Sequence, residues 1–202
     1  AQDAGDEPLL LARNAPAVIA RRREQGAELI DRQFAAGSVI IMDDGFQNPA
    51  LEKDFSIVVV DVNRMFGNGR CIPSGPLRAP LSAQLPRAKA ILLNGRADAQ
   101  QEHRARESLS GAFSGPVIRA EMAPSGDIKW LRNANVLAYA GIANPDRFFT
   151  LLEAQGARIV ERRVFSDHHA FGNGEASALI EDAARLGARL VTTEKDFVRL
   201  YG

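Results

Sequence analysis

The chain has 202 residues, 46% of them hydrophobic, with 25 basic and 25 acidic groups and a formal charge of zero. That length holds one domain or two small ones with a real core, and the even charge excludes a general nucleic-acid coat or a polybasic membrane anchor. The single cysteine, Cys71, excludes an internal disulfide, and no apolar run approaches the roughly 18 residues of a membrane helix. The composition is that of a soluble, cytoplasmic α/β protein. The opening Ala1-Gln2-Asp3-Ala4 is neither a signal peptide nor a translation start, which points to a piece of something longer. Of the basic residues 21 are Arg and four are Lys; Arg forks suit phosphate and carboxylate groups, although codon bias explains the excess more simply.

In chain order, Asp6-Glu7-Pro8 reads as a helix start with Asp6 as its N-cap. Val18-Ile19-Ala20 is a candidate short strand. Residues 21–36 read as a helix with Ala27, Ile30 and Phe34 near one face, ended by Gly37. The run from Ser38 to Met42 closes on Asp43-Asp44-Gly45, the pattern of a buried parallel strand with acids at its carboxyl end. Phe55 to Val60, closing on Asp61, and Ala88 to Asn94 read as two more buried strands. Between them the Gly-, Pro- and Arg-rich stretch 63–86 has no period and is too long for an ordinary connection, so it reads as a functional loop. Residues 98–110 form a polar surface helix. Val117 to Glu121 and Ile128 to Leu131, on either side of the turn Pro124-Ser125-Gly126-Asp127, read as a ribbon and hinge. The pattern then restarts: strand Val136 to Ala140, turn Gly141 to Pro145, helix Asp146 to Gln155, strand Arg158 to Phe165, loop Ser166 to His169, helix 174–186 and strand Arg189 to Thr193. Strands alternating with helices mean parallel sheets. The predicted class is α/β with a boundary near 118–131, and there are no repeats or low-complexity tracts.

Several groups are able to carry chemistry. Asp43, Asp44 and Gln47 follow an apolar strand and offer the hard oxygen donors of a divalent cation site; equally, Asp44-Gly45 is simply a turn. Asp167-His168-His169 holds two of the three histidines, candidates for metal ligands, a base or phosphate contacts, or else a solvated turn. Phe66-Gly67-Asn68-Gly69-Arg70 and Pro73-Ser74-Gly75-Pro76-Leu77-Arg78 combine backbone N–H groups with Arg forks, which line anionic pockets, or form a structural Gly/Pro loop. Thr192-Thr193-Glu194-Lys195-Asp196 is a helix cap with a surface salt bridge, or places Lys195 on a phosphate. His103 reads as surface. Neither G-x-x-x-x-G-K-S/T nor G-x-G-x-x-G occurs anywhere in the chain.

The ordered set of these motifs, with Gly5-Asp6-Glu7-Pro8 at the front and Ala140-Gly141-Ile142-Ala143-Asn144-Pro145 in the second half, resembles the tetraacyldisaccharide 4′-kinase family of lipid A biosynthesis over essentially the whole chain. The resemblance implies transfer of the ATP γ-phosphate to the 4′-hydroxyl of a tetraacylated disaccharide 1-phosphate, at the cytoplasmic face of the Gram-negative inner membrane. It implies a P-loop-kinase-like parallel sheet over residues 1–117, here lacking its first strand and phosphate loop, a β-ribbon hinge over 118–131, and a smaller α/β domain over 132–202 that closes on the substrates. Asp6 matches the family's catalytic aspartate and His168 its histidine partner. An imidazolium beside that carboxylate lowers its pKa, so the pair positions the hydroxyl as much as it removes a proton. Asp43 and Asp44, with Gln47, match the Mg²⁺ acids, and Arg70, Arg78, Asn144 and Lys195 are carried over as substrate or phosphate contacts. ATP and Mg²⁺ are the implied cofactors; the implied partners are the lipid disaccharide and peripherally the membrane, with no nucleic acid and a monomeric protein.

Two positions depart from the family pattern: Asn48 stands where many members have His, and Ala79 where many have Glu, which weakens or rebuilds the metal site if that acid serves it. The absent phosphate loop leads to the expectation of a truncated chain, inactive by itself and with an exposed apolar sheet edge. Two rival readings stand beside the kinase. One is a metal-dependent phosphoesterase of the DHH type built on Asp167-His168-His169 and Asp43-Asp44. The other is a non-catalytic remnant or binding module.

Overall fold

The computed structural model describes residues 5–201, so the opening Ala1–Ala4 lies outside the described residues. The chain forms two compact units. One is Arg22–Ala123; the other is Pro124–Gly202 together with Ala1–Arg21, and so includes α1 (Asp6–Ala12). Each unit is α/β and carries one three-stranded, wholly parallel sheet, as the alternation of strands and helices predicts.

The unit Arg22–Ala123 contains α2 (Arg23–Gln33), β1 (Ile57–Asp61), α3 (Leu81–Gln84), β2 (Ala90–Asn94), α4 (Ala99–Ser110) and β3 (Val117–Ala120), with sheet order β1-β2-β3. Ala105 and Leu109, four residues apart on α4, share a helix face and pack with Val60, Ile91 and Leu93 of the strands, Val62 just past β1 and Leu85 between β1 and β2. Helix α4 starts on a reciprocal cap: the Asp98 carboxylate accepts the Gln101 N–H at 2.7 Å, and the Gln101 side chain accepts the Asp98 N–H at 2.9 Å. Loss of such a cap costs about 1 kcal/mol. Asp98→Ala is therefore expected to lower the urea midpoint correspondingly, and an unchanged midpoint would show that water replaces the cap without cost.

Several sequence expectations fail here, the first two because an apolar run becomes a buried strand only where a neighbouring edge and a covering layer exist. Ser38 to Met42 is not a strand, and Ile41 is 90% exposed. Among the described residues no strand pairs with it. Phe55 to Val60 does yield β1, but as an edge strand covered on one face only: Val60 is buried, while Ile57 and Val59, pointing the other way, are exposed. Val117 to Glu121 and Ile128 to Leu131 do not form a ribbon. The first piece becomes β3, paired in parallel with β2. The second becomes a 3₁₀ turn, Lys129–Leu131, that tucks Leu131 into the core of the other unit. Val18-Ile19-Ala20 is irregular as well.

The second unit adds β4 (Asn135–Ala140), α5 (Pro145–Ala154), β5 (Arg158–Val164), α6 (Asn173–Arg185), β6 (Arg189–Thr192) and α7 (Glu194–Tyr201), with sheet order β5-β4-β6. Alternate residues of β4 point to opposite faces, and both faces are covered. Val136 and Ala138 pack with Phe149 and Leu152 of α5. Leu137 and Tyr139 pack with Leu179 and Ala183 of α6. Val136 to Ala140 is consequently buried throughout, which explains the uninterrupted apolar sequence.

Candidate functional site

The sheet order of the second unit makes β4 a switch point. The connection from β4 leads to β5 on one side, and the next leads from β5 to β6 on the other. In open parallel sheets ligand sites lie outside the carboxyl ends of the strands at such a point. Three short segments emerge there: Gly141 after β4, Ser166-Asp167-His168-His169 after β5, and Thr193 to Asp196 after β6. They come together around Gly141. The Gly141 carbonyl accepts the Arg199 Nη1–H at 2.7 Å and the His168 backbone N–H at 3.2 Å. A Cβ at position 141 would sit 3.1 Å from both Asp196 Oδ1 and the Ser166 carbonyl, a tight contact that a larger residue makes only if these neighbours give way by a few tenths of an ångström.

Arg199, on α7, is the centre of the cluster. Its Nε donates to Asp6 Oδ2 at 3.1 Å, Nη2 donates to the same oxygen, and Nη1 donates to Asp196 Oδ1 at 3.0 Å. Nη2 also lies 3.2 Å from His168 Nδ1. The Arg199 side chain is 10% exposed, Asp6 9% and Asp196 0%. Asp196 is tied down in turn: Thr193 Oγ1 donates to its Oδ2 at 2.6 Å and accepts its backbone N–H at 3.2 Å. At the rim Lys195 pairs with Glu7 at 2.5 Å, a second link between α7 and α1.

Asp6 is the first residue of α1, whose N-cap is Gly5 in a left-handed conformation (φ 74°); the expected capping role for Asp6 is therefore corrected. Its side chain is turned to the cluster instead. Burial pushes the Asp6 carboxyl up, but the hydrogen bonds and charge of Arg199, a backbone N–H and the nearby His168 outweigh it. The net effect holds the carboxyl below its usual range. His168 is within 3.8 Å of Asp6, as the sequence anticipated, but that is not a hydrogen bond. Its backbone is left-handed (φ 59°) and its side chain 65% exposed, so the ring stands at the surface over a buried carboxylate. Arg199 was not anticipated. The only signal in the sequence was the T-T-E-K-D stretch, which caps a helix whose second turn carries the arginine inward.

The remaining predicted residues lie elsewhere. Asn144 is exposed at the N-cap of α5, without a side-chain cap bond. In the other unit, Arg78 Nη1 donates to both oxygens of Asp44 at 2.8 Å and lies 3.4 Å from Gln47 Oε1. The Gln47 amide donates to Gln84 Oε1 at 2.7 Å. Asp43 is exposed, and its carbonyl accepts Arg23 Nη2 at 2.9 Å. Asp44 is left-handed (φ 47°), a turn conformation. Arg70 is exposed on a tight loop in which Asn68 donates to the Ser74 carbonyl at 2.7 Å and accepts the Arg70 N–H at 3.1 Å. Among the described residues no three His, Cys, Asp or Glu side chains are gathered for a metal. Mg²⁺ usually takes only one or two protein carboxylates beside phosphate oxygens and water. The hard oxygens of Asp43, Asp44 and Gln47 therefore fit it chemically, in exchange for the Arg78 contact on Asp44. The tripeptide Asp167-His168-His169 gathers no such set either: His169 is committed to Glu175 at 3.0 Å, which leaves the phosphoesterase reading without support.

Fold and site together define an α/β protein of two parallel-sheet units, with an arginine-held carboxylate and a histidine at the carboxyl ends of one sheet. A family model described as tetraacyldisaccharide-1-P 4′-kinase (LpxK) matches residues 1–202, and the chain belongs to that family. It is 49% identical over 201 residues to the tetraacyldisaccharide 4′-kinase of Rhodopseudomonas palustris (strain BisB5), covering 99% of this chain and 58% of that protein. To the protein of the same name from Bradyrhizobium sp. (strain BTAi1) it is 46% identical over 203 residues, covering 100% and 57%. The crystal structure of the "apo" form of LpxK from Aquifex aeolicus in complex with ATP superposes with a TM-score of 0.66 at 27% identity, over 98% of this chain and 60% of that one. The chain thus spans about three-fifths of the length of these relatives.

Proposed function

We propose that this chain carries the acceptor-side and part of the phosphate-side machinery for transferring the γ-phosphate of ATP to the 4′-hydroxyl of a tetraacyldisaccharide 1-phosphate. Membership of the kinase family supports the reaction. The observation that carries the assignment of roles is the ionised Asp6, nine-tenths buried and gripped through a single oxygen by Arg199. Both guanidinium contacts fall on Oδ2, which leaves Oδ1 to accept the hydroxyl proton of the sugar. A carboxylate with a lowered pKa is a weak base, and this suits the reaction. Phosphoryl transfer runs through a loose transition state in which the attacking oxygen gains little charge until late. Orientation of the hydroxyl therefore counts for more than early deprotonation. His168, exposed beside Asp6, offers a second polar contact to the same substrate.

On the phosphate side, Asp43 and Asp44 with Gln47 would hold Mg²⁺, which supplies neutralisation of the nucleotide phosphates when bound. Arg70, Arg78, Asn144 and Lys195 are proposed phosphate or substrate contacts; all are exposed or at the rim, as a ligand requires. The irregular part of 118–131 is proposed as the hinge between nucleotide-binding and C-terminal portions. A tetraacylated substrate resides in a membrane, so the work is done at a membrane surface, proposed as the cytoplasmic face of the inner membrane. No helix of the described residues is long and apolar enough to cross one.

The test uses protein expressed from its complete reading frame, with γ-labelled ATP and the disaccharide 1-phosphate in detergent. Label is expected in the lipid. Release of label only as inorganic phosphate, or unconsumed ATP, overturns the reading.

A further inference from the structure

We propose that Arg199 is a positioning residue for the acceptor site: anchored by the buried Asp196 and the Gly141 carbonyl, it fixes Asp6 in one orientation and sets the tautomer of His168. The first half of this rests on the reading of Asp6 as the group that receives the sugar hydroxyl; the second does not.

The geometry separates this role from a plain helix-to-helix salt bridge. The two residues anticipated as a pair, Asp6 and His168, do not bond to each other; their nearest polar atoms are 3.8 Å apart. Arg199 Nη2 reaches both, donating to Asp6 Oδ2 and lying 3.2 Å from His168 Nδ1. A guanidinium has only donors. A hydrogen bond at that distance therefore requires the Nδ1 lone pair, which places the ring proton on Nε2. The Nε2–H then points away from the buried cluster; its nearest carboxylate is Asp167, at 3.9 Å. The ring is thereby presented to an incoming ligand as a hydrogen-bond donor.

The guanidinium is itself over-determined. Nη1 is taken by Asp196 and the Gly141 carbonyl, and Asp196 is fixed by Thr193. The charged groups around the cluster are Asp6 and Glu7 on α1, Lys195, Asp196 and Arg199 on α7, and Asp167, His168 and His169 after β5. Of these, Lys195 and Glu7 satisfy each other, and His169 is taken by Glu175. Neither pair substitutes for Arg199. A buried ion pair is weak evidence for net stability, whereas a carboxylate and an imidazole held by one rigid fork give fixed directions to both.

The decisive experiment labels histidine with ¹⁵N in the protein expressed from its complete reading frame and reads His168 by long-range ¹H–¹⁵N correlation with the ring neutral. The Nε2–H pattern is expected in the wild type, collapsing to a tautomer mixture in Arg199→Met. In the phosphotransfer assay Arg199→Met is expected to lose on the order of 10- to 100-fold in kcat, the scale of a misplaced reacting group, with KM for ATP little changed. Arg199→Lys, which keeps the charge without the fork, recovers part of the loss and carries the test should the Met variant not fold. Arg13→Gln is the control: Arg13 lies over the Phe197 ring at 5.7 Å, so the change loosens α1 against α7 without touching Asp6. It should leave both tautomer and kcat in place. A wild-type Nδ1–H tautomer, an unchanged pattern in Arg199→Met, or an unchanged kcat overturns the proposal. A wild type that transfers no phosphate overturns the reading of Asp6, while the tautomer result still decides whether Arg199 sets His168.

Discussion

Asp6→Asn is expected to reduce kcat by about 10²- to 10⁴-fold, the range of a lost general base, with little change in the KM for ATP. Asn keeps the shape of the side chain and an oxygen for Arg199, so the cluster stays assembled while the charge proposed to receive the hydroxyl proton is gone. The same variant has a signature in stability. The folded-state pKa of Asp6 is lowered, so in the window between that value and the ordinary carboxyl value the unfolded chain binds more protons than the folded one. Stability therefore rises with pH across that window, is fully present above it, and is lost as pH falls through the folded value. Asp6→Asn removes this contribution and flattens the acid limb of the unfolding curve. Steady-state kinetics and acid titration of the two proteins check both halves. A variant that retains wild-type kcat would remove Asp6 from the chemistry.

Asp196→Ala is expected to destabilise the protein by about 3 kcal/mol, the lower end of the range for breaking a buried ion pair. Asp196 is wholly buried and bonds both Arg199 and Thr193. Its removal leaves one face of a buried guanidinium without a carboxylate, though Asp6 and the Gly141 carbonyl still hold it, which keeps the cost from reaching the upper end. It also removes the partner that fixes the start of α7. Urea denaturation measures the loss; a change within about 0.5 kcal/mol, the size of an ordinary surface substitution, would show that Arg199 needs only Asp6.

The second unit was largely legible in the sequence because its strands meet the conditions the sequence presumes. Val136 to Ala140 is uninterruptedly apolar, and β4 is covered on both faces by α5 and α6. In the other unit the equally apolar Ser38 to Met42 carries the same local signal without a paired edge, and pattern alone cannot distinguish the two. Asp6 and His168 were found as motif residues, and the structure brings them into one cluster. What could not be read was the group between them. Arg199 is one of 21 arginines in a helix of mixed polarity, and its role is created by tertiary approach to Gly141 and Asp6, far away in the chain. For the same reason the charge partner of Asp44 proved to be Arg78, expected only as a phosphate ligand: two exposed groups of opposite charge, 34 residues apart, meet across the fold.

The most direct test of the account is the position of the phosphate in the product. The protein from the complete reading frame is incubated with ATP and tetraacyldisaccharide 1-phosphate, and the lipid product is examined by ³¹P–¹H correlation. A new phosphomonoester coupled to the proton at C4′ is the result predicted. A product phosphorylated at another oxygen, or a disaccharide returned unchanged while ATP is hydrolysed, would contradict it.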